Sequence, residues 1–372
     1  MHKRLILVLV LLLAATAMAE INSDSISISG HFLGVGNYLW QSNDTTSGTN
    51  ERRQFDFAVN VDFKWKIHER IIGLAQLQSS PGRGSFGFPG PHIEFADLNM
   101  QFLFPKIRST IIAGSFDTPI GLNTKYLTNN ADATNNFFFL NSLLYSVLGG
   151  DAGTLNAVGV MGEWKSKYFE LTASGFNGIY ESSSNYDGYI GHCARGVVNI
   201  DEKIQASGSY FFSWDRSGQS QFSRNYKIYA WIVDFAGEVI KEFHLRGNYG
   251  VITFDDNNAT NFDDVSVWQA EAAYRPISWH FAVRVSGWMP EDNNADGLNI
   301  SSRIPNSGFA LGQLSTAVLR DQSVIRYQIA AAIQVLAEFS LKAEYFRDDY
   351  QKLSNGENTD VDGLILLSQI TF

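Results

Sequence analysis

Phe55-Asp56-Phe57-Ala58-Val59-Asn60-Val61-Asp62-Phe63-Lys64-Trp65 repeats with period two. Its odd positions are all apolar, and its even positions, Ala58 apart, are Asp56, Asn60, Asp62 and Lys64. In an extended chain successive side chains leave opposite faces, so this stretch has one face of continuous hydrocarbon and one polar face. The same alternation returns in Ile204 to Trp214, where Gln205, Ser207, Ser209 and Ser213 share a face, and in Phe243 to Val251, with His244, Arg246 and Asn248. In Ile325 to Val335, Arg326, Gln328 and Gln334 oppose Ile325, Tyr327, Ile329, Ile333 and Val335.

Extended along the chain, the pattern gives 16 strands, starting near residues 26, 53, 71, 93, 109, 156, 168, 188, 204, 226, 243, 265, 279, 324, 340 and 362. Short connections fall at Lys66–Glu69, Pro105–Arg108, Lys165–Lys167, Asp201–Lys203, Ala236–Glu242, Arg275–Ser278 and Ala337–Phe339. Long polar ones alternate with them, at Gln41–Arg52, Pro81–His92, Pro119–Leu155, Tyr180–Asp187, Asp215–Asn225, Asp255–Asp264, Pro290–Ser323 and Tyr350–Val361. Antiparallel strands that return through one membrane face on tight turns and through the other on loops produce this rhythm. A soluble sandwich has no reason to keep it. Trp40, Trp65, Phe104, Trp164, Trp214, Phe235, Phe243, Trp268, Tyr274, Trp279 and Trp288 stand at segment ends, where membrane barrels carry aromatic girdles. The expected fold is all-β: a transmembrane, antiparallel, up-and-down β-barrel of about 16 strands with short periplasmic turns and long extracellular loops.

Residues 1–19 combine His2, Lys3 and Arg4, an apolar run from Leu5 to Ala15, and Ala17-Met18-Ala19 before Glu20, the layout of a secretory signal peptide. The mature barrel is therefore expected over residues 20–372 as one domain. Without Lys3 and Arg4 it has 26 basic and 38 acidic side chains, a formal charge of −12, which disfavours a nucleic-acid partner. Cys193 is the one cysteine, so no internal disulfide and no cysteine metal site is expected. The histidines show no metal-ligand spacing, and no cofactor motif stands out. No apolar run reaches the roughly 18 residues of a spanning helix; Ile329 to Ala337 comes nearest and Gln334 interrupts it.

Gly363-Leu364-Ile365-Leu366-Leu367-Ser368-Gln369-Ile370-Thr371-Phe372 resembles the terminal strand of Gram-negative outer-membrane barrels, whose last aromatic is read by the barrel assembly machinery. Together with the leader and the 16 alternating segments, it makes the chain similar to the general porins. That resemblance implies a water-filled channel for passive diffusion of small hydrophilic solutes and ions, a homotrimer, and Phe372 as assembly signal. It also implies that the third long connection, residues 119–155, folds inward as a constriction with Lys125, Asp132 and Asp151 near its narrowest point. Ile93–Asn99 followed by Ala113–Gly121 is similar to the strand pair before this loop in carbohydrate- and phosphate-selective porins, so a sugar- or anion-selective channel is the alternative. Phosphate-selective porins line their channel with lysines, whereas this loop has only Lys125.

A wide barrel leaves water inside, and charges on its inner wall bias which ions enter. Alternation places Asp56, Asn60, Asp62, Lys64, Asp97, Asn99, Gln101, His244, Arg246, Gln269, Glu271, His280, Arg284, Arg326, Gln328, Lys342 and Glu344 on that wall. Acidic residues gather on the early strands and basic ones on the later strands, which would set a transverse field of the kind porins use, with Arg284 as its best single source. The competing reading makes the same residues salt bridges inside a filled barrel. In the third loop, Phe137, Leu140, Leu144 and Leu148 recur at helical spacing after Asn135 and Asn136, which suits a short capped helix glued to the wall. Phe137, Phe138 and Phe139 would alternatively form an aromatic slide for sugars. Asp255-Asp256, Asp263-Asp264 and Asp348-Asp349 lie in or beside long loops, as solvated charge or as bridges through divalent cations to lipopolysaccharide in the surrounding outer-membrane lipid. Two other classes are a barrel phospholipase or protease, for which no serine or histidine motif is present, and an adhesin acting through its loops.

Overall fold

The computed structural model describes residues 26–43, 50–80, 92–121, 156–177, 190–201, 203–215, 226–256, 263–290, 322–352 and 359–372. They form β1 (Ile26–Asn43), β2 (Asn50–His68), β3 (Ile71–Ser80), β4 (His92–Phe104), β5 (Ser109–Asp117), β6 (Asn156–Lys165), β7 (Phe169–Asn177) and β8 (Ile190–Asn199). The second half continues as β9 (Ile204–Asp215), β10 (Tyr226–Ile240), β11 (Phe243–Asp256), β12 (Asp263–Tyr274), β13 (Trp279–Pro290), β14 (Gln322–Leu336), β15 (Phe339–Lys352) and β16 (Thr359–Thr371). No strand start departs by more than three residues from the position given by alternation.

Each strand pairs antiparallel with its sequence neighbours, and β1 pairs with β16, so the sheet closes on itself. At the seam His31 to Asn43 run against Thr371 to Thr359. Gly30 and Phe372 exchange two backbone hydrogen bonds of 2.9 and 3.0 Å, so the chain end is built into the closure. A closed sheet leaves no unpaired edge, the condition for a sheet within hydrocarbon. The tight returns share one end of the barrel. In the β4–β5 return, Pro105–Ile107 make a single 3₁₀ turn capped by Arg108 at φ 55°.

The pleat sorts the side chains into an inside-out arrangement. On β14 the outward Tyr327, Ile329, Ile333 and Val335 are 47–50% exposed, while the inward Arg326 and Gln328 are 1% and 3% exposed. A barrel in water would show the reverse, because exposed hydrocarbon and buried charge both cost free energy there. The outward face is thus built for lipid, and strands of 9 to 19 residues exceed the roughly 9–11 needed to cross a bilayer. Outward aromatics ring the turn end at Phe104, Trp164, Tyr168, Phe169, Tyr274 and Trp279, the last two in edge contact at 5.4 Å. Towards the loop end, Trp40 lies 5.1 Å from Tyr38 and 6.3 Å from Tyr345. The backbone of Trp288, another of the expected girdle residues, pairs with Val267 and Val324.

Candidate functional site

Antiparallel register carries the inward rows across β11 to β15. One row runs Arg246, Glu271, Arg284, Gln328 and Phe346; the next runs Asn248, Gln269, Ser286, Arg326 and Asp348. Arg284 Nε donates to Glu271 Oε2 at 2.7 Å, a terminal nitrogen of Arg284 meets the same oxygen, and Arg275 stands 3.6 Å from Oε1. Arg326 grips Asp348 with a fork, Nε to Oδ1 at 2.5 Å and a terminal nitrogen to Oδ2 at 2.6 Å. Its guanidinium carbon lies 4.5 Å from the centre of the Phe346 ring. Lys342 Nζ sits 2.8 Å from Glu344 Oε2, and Gln328 Nε2 donates to Glu344 Oε1 at 3.1 Å. Ala273, Ala282 and Ala330, in the row that ends at Glu344, and Ala332, opposite His280 and Lys342, are inward and buried and leave room for these long side chains to lie along the wall.

The expected basic later wall is present, but it is interleaved with Glu271, Glu344 and Asp348. A guanidinium out of bulk water is tolerated only with a counter-charge and filled hydrogen bonds. Arg284 and Arg326 are buried, whereas Arg246 is partly exposed. Asp348 also departs from the sequence reading. Instead of a solvated charge beside a loop, it is a fully buried inward residue of β15 held by Arg326.

On the early wall, Asp62 accepts a hydrogen bond from Gln76 Nε2 at 2.7 Å, and Asn99 Nδ2 donates to Ser115 O at 2.9 Å. Lys64 occupies an inward position opposite Ser27 and Leu74 near the turn end and is exposed. Asp56 and Asp97 hold inward register positions opposite Val35 and Gln76. Lys125, Asp132, Asp151, Phe137, Phe138 and Phe139 lie outside the described residues.

The entrance to the third long connection is described, and it runs inward. After β5 the chain leaves the wall at Thr118, and Thr118 and Ile120 are 0% and 1% exposed. Gly121 N–H donates to Ser209 Oγ at 2.9 Å, Arg195 donates a terminal N–H to Gly121 O at 3.1 Å, and the Cys193 thiol lies 3.3 Å from Pro119 O. These partners sit on the inward rows of β8 and β9, several strands round the barrel from β5. Gly121 has φ 67°, and a Cβ there would come 3.2 Å from an Asp234 carboxylate oxygen, so both backbone and space favour glycine. Asp234 in turn accepts from Ser207 Oγ at 3.1 Å. Sequence reasoning missed Cys193, Arg195, Ser209 and Asp234 as partners of this segment. They lie 74 to 113 residues further along, and only barrel closure brings them to it.

No protein-family model and no curated protein matches the chain by sequence. Among solved structures it is similar to the outer membrane channel DcaP of Acinetobacter baumannii, with TM-score 0.63 and 12% identity over 93% of this chain and 97% of that one. It is also similar to an anion-selective porin from Comamonas acidovorans, with TM-score 0.64 and 8% identity over 94% and 99% of the two chains. A third likeness is to OmpT, an outer membrane protein of Vibrio cholerae, in a trimer form, with TM-score 0.57 and 10% identity over 94% and 100%. The shared feature at these identities is the fold, a closed antiparallel barrel along nearly the whole chain.

Proposed function

We propose that this chain is an outer-membrane porin that lets small hydrophilic solutes and ions diffuse passively through a water-filled lumen. The observation that carries the proposal is the inversion of the barrel: hydrocarbon outside, and inside a charged wall against which Thr118 to Gly121 fold. A polar interior in a lipid-facing closed sheet serves solutes that cannot cross hydrocarbon. The leader expected at residues 1–19 fits export, Phe372 at the seam fits an assembly signal, and the likeness to a trimer form supports a homotrimer. Contact with lipopolysaccharide belongs to the same reading. Conductance separates a channel from a barrel enzyme and from an adhesin.

Folded protein added to planar bilayers should give discrete conductance steps; flat current over many insertions would overturn the channel. Arg246 is the inner-wall arginine with both access to the lumen and a partner that stays satisfied without it, since Glu271 keeps Arg284 and Arg275. A charge about 10 Å from an ion in water is worth ~0.4 kcal/mol, little screened at about 0.01 M salt, so Arg246→Gln should move the cation-to-anion permeability ratio roughly threefold towards cations. An unchanged reversal potential in a folded Arg246→Gln barrel would remove Arg246 from the conducting path.

A further inference from the structure

The outer wall of β5 to β10 is not smooth. A groove of about 1020 Å³ runs up it from the turn end, with Gly162, Gly196 and Gly208 in its floor and Ile107, Trp164 and Tyr210 along its sides. A Cβ built at Gly162 or Gly208 meets nothing within 4 Å, so the space above these glycines is open. In a hydrocarbon layer such a depression is filled by whatever surrounds it, and here its mouth carries charge. Ile107 stands between Lys106 and Arg108, Trp164 precedes Lys165, and Lys167 follows in the next return. The two returns are tied together by Lys165 N–H donating to Arg108 O at 3.0 Å. Lys106, Arg108 and Lys167 are exposed, Lys165 turns to Glu163 at 3.0 Å, Glu163 and Glu170 take inward register positions, and Asp201 on the β8–β9 return accepts the Lys203 and Ile204 N–H groups at 2.7 Å. Among the described residues, the rim at the β4–β5 and β6–β7 returns is therefore cationic.

We infer that the groove is a binding site for an anionic phospholipid of the leaflet at the turn end, its acyl chains on the glycine floor and its phosphate among Lys106, Arg108 and Lys167. Apolar area and charge point to the same occupant, because a hydrocarbon chain fills the open floor while the rim selects a negative headgroup. A second outer groove, about 560 Å³ between Trp279, Ile333 and Leu366, provides an internal comparison. The returns at its turn end carry Arg275 and Glu338, with no cationic cluster. The inference rests on the lipid-embedded barrel proposed above, but its readout is lipid retention and not current.

The test is native mass spectrometry of the full-length folded barrel in detergent doped with phosphatidylglycerol or phosphatidylcholine. At roughly fivefold per basic residue near a headgroup, less screening, phosphatidylglycerol should be retained at least about tenfold over phosphatidylcholine. Lys106→Gln/Arg108→Gln/Lys167→Gln should bring the two lipids level, and Gly162→Leu/Gly208→Leu should lower retention of both. Equal retention by the wild type, or a preference unchanged in the rim variant, overturns the site. A groove-filled variant that dissociates an oligomer yet keeps its lipid preference would make the groove a contact between copies instead. Conductance of the same preparations separates the two readings. Lost lipid preference in a conducting barrel sinks only this inference, while preserved preference in a barrel that never conducts sinks only the channel.

Discussion

Replacing Asp348 alone with asparagine should lower the stability of the folded barrel to urea by about 3–5 kcal/mol, because it removes the carboxylate from a buried ion pair. Arg326 is 1% exposed and Asp348 0%, and two guanidinium nitrogens, Nε and a terminal one, hold both carboxylate oxygens. Asparagine keeps the shape but removes the charge, so the buried guanidinium faces an amide where the carboxylate stood. The pair itself adds little net stability, since its attraction mainly offsets the desolvation of both ions. Arg326→Met/Asp348→Leu should therefore unfold within about 1 kcal/mol of wild type, with methionine still covering the Phe346 ring that Arg326 now crosses at 4.5 Å. The Lys203–Glu238 bridge sets the scale. At 2.7 Å it is nearly as short, but its side chains are 57% and 20% exposed at the turn end. Glu238→Gln should leave the urea midpoint close to wild type, because water screens and replaces the contact. Equal costs for Asp348→Asn and Glu238→Gln would mean that water reaches Asp348 freely and that the later wall is not a buried network.

That contrast marks what could be read from the sequence. Strand positions were legible because period two is a local property: Phe55 to Trp65 shows its lipid face and its inner face without reference to any partner. Assignment to the inner wall was legible for the same reason, and Asp62, Arg246, Arg284 and Arg326 all occupy the face that alternation gave them. Pairing between wall residues needs register, which a tight return can supply. Counting back from the short β12–β13 connection places Glu271 opposite Arg284, a signal present in the sequence but not used. Asp348 was misread because Asp348-Asp349 looks like loop charge, although the strand continues to Lys352 and points only one of the two inward. The anchoring of Thr118 to Gly121 was illegible in detail, because Cys193, Arg195 and Ser209 become its neighbours only when the barrel closes.

This anchoring leads to the largest expected change in transport. Deleting Thr128 to Leu148 should at least roughly double single-channel conductance and admit larger sugars in liposome swelling, since flow scales with the open cross-section at the narrowest point. The chain is already inside the barrel at Gly121, held to Ser209 and Arg195, and must return to Asn156 at the start of β6. The 34 residues between include Phe137, Phe138, Phe139, Leu140, Leu143, Leu144 and Leu148. Each gains roughly 1.5–3 kcal/mol from burial, so this apolar set favours a surface over open water. From Gly121 the inner wall is the nearest surface, and lipid covers the outer one. After the deletion 13 residues still join Gly121 to Asn156, a reach of ~40 Å at full extension, so β5 and β6 can stay paired along Ser109 to Asp117. The shortened barrel should therefore fold, which β-sheet circular dichroism and the heat-shifted mobility of barrels on gels would check before transport is measured. If it folds and both the conductance and the sugar size limit stay at wild-type values, the loop does not narrow the channel, and Lys125, Asp132 and Asp151 lose their proposed place at the constriction.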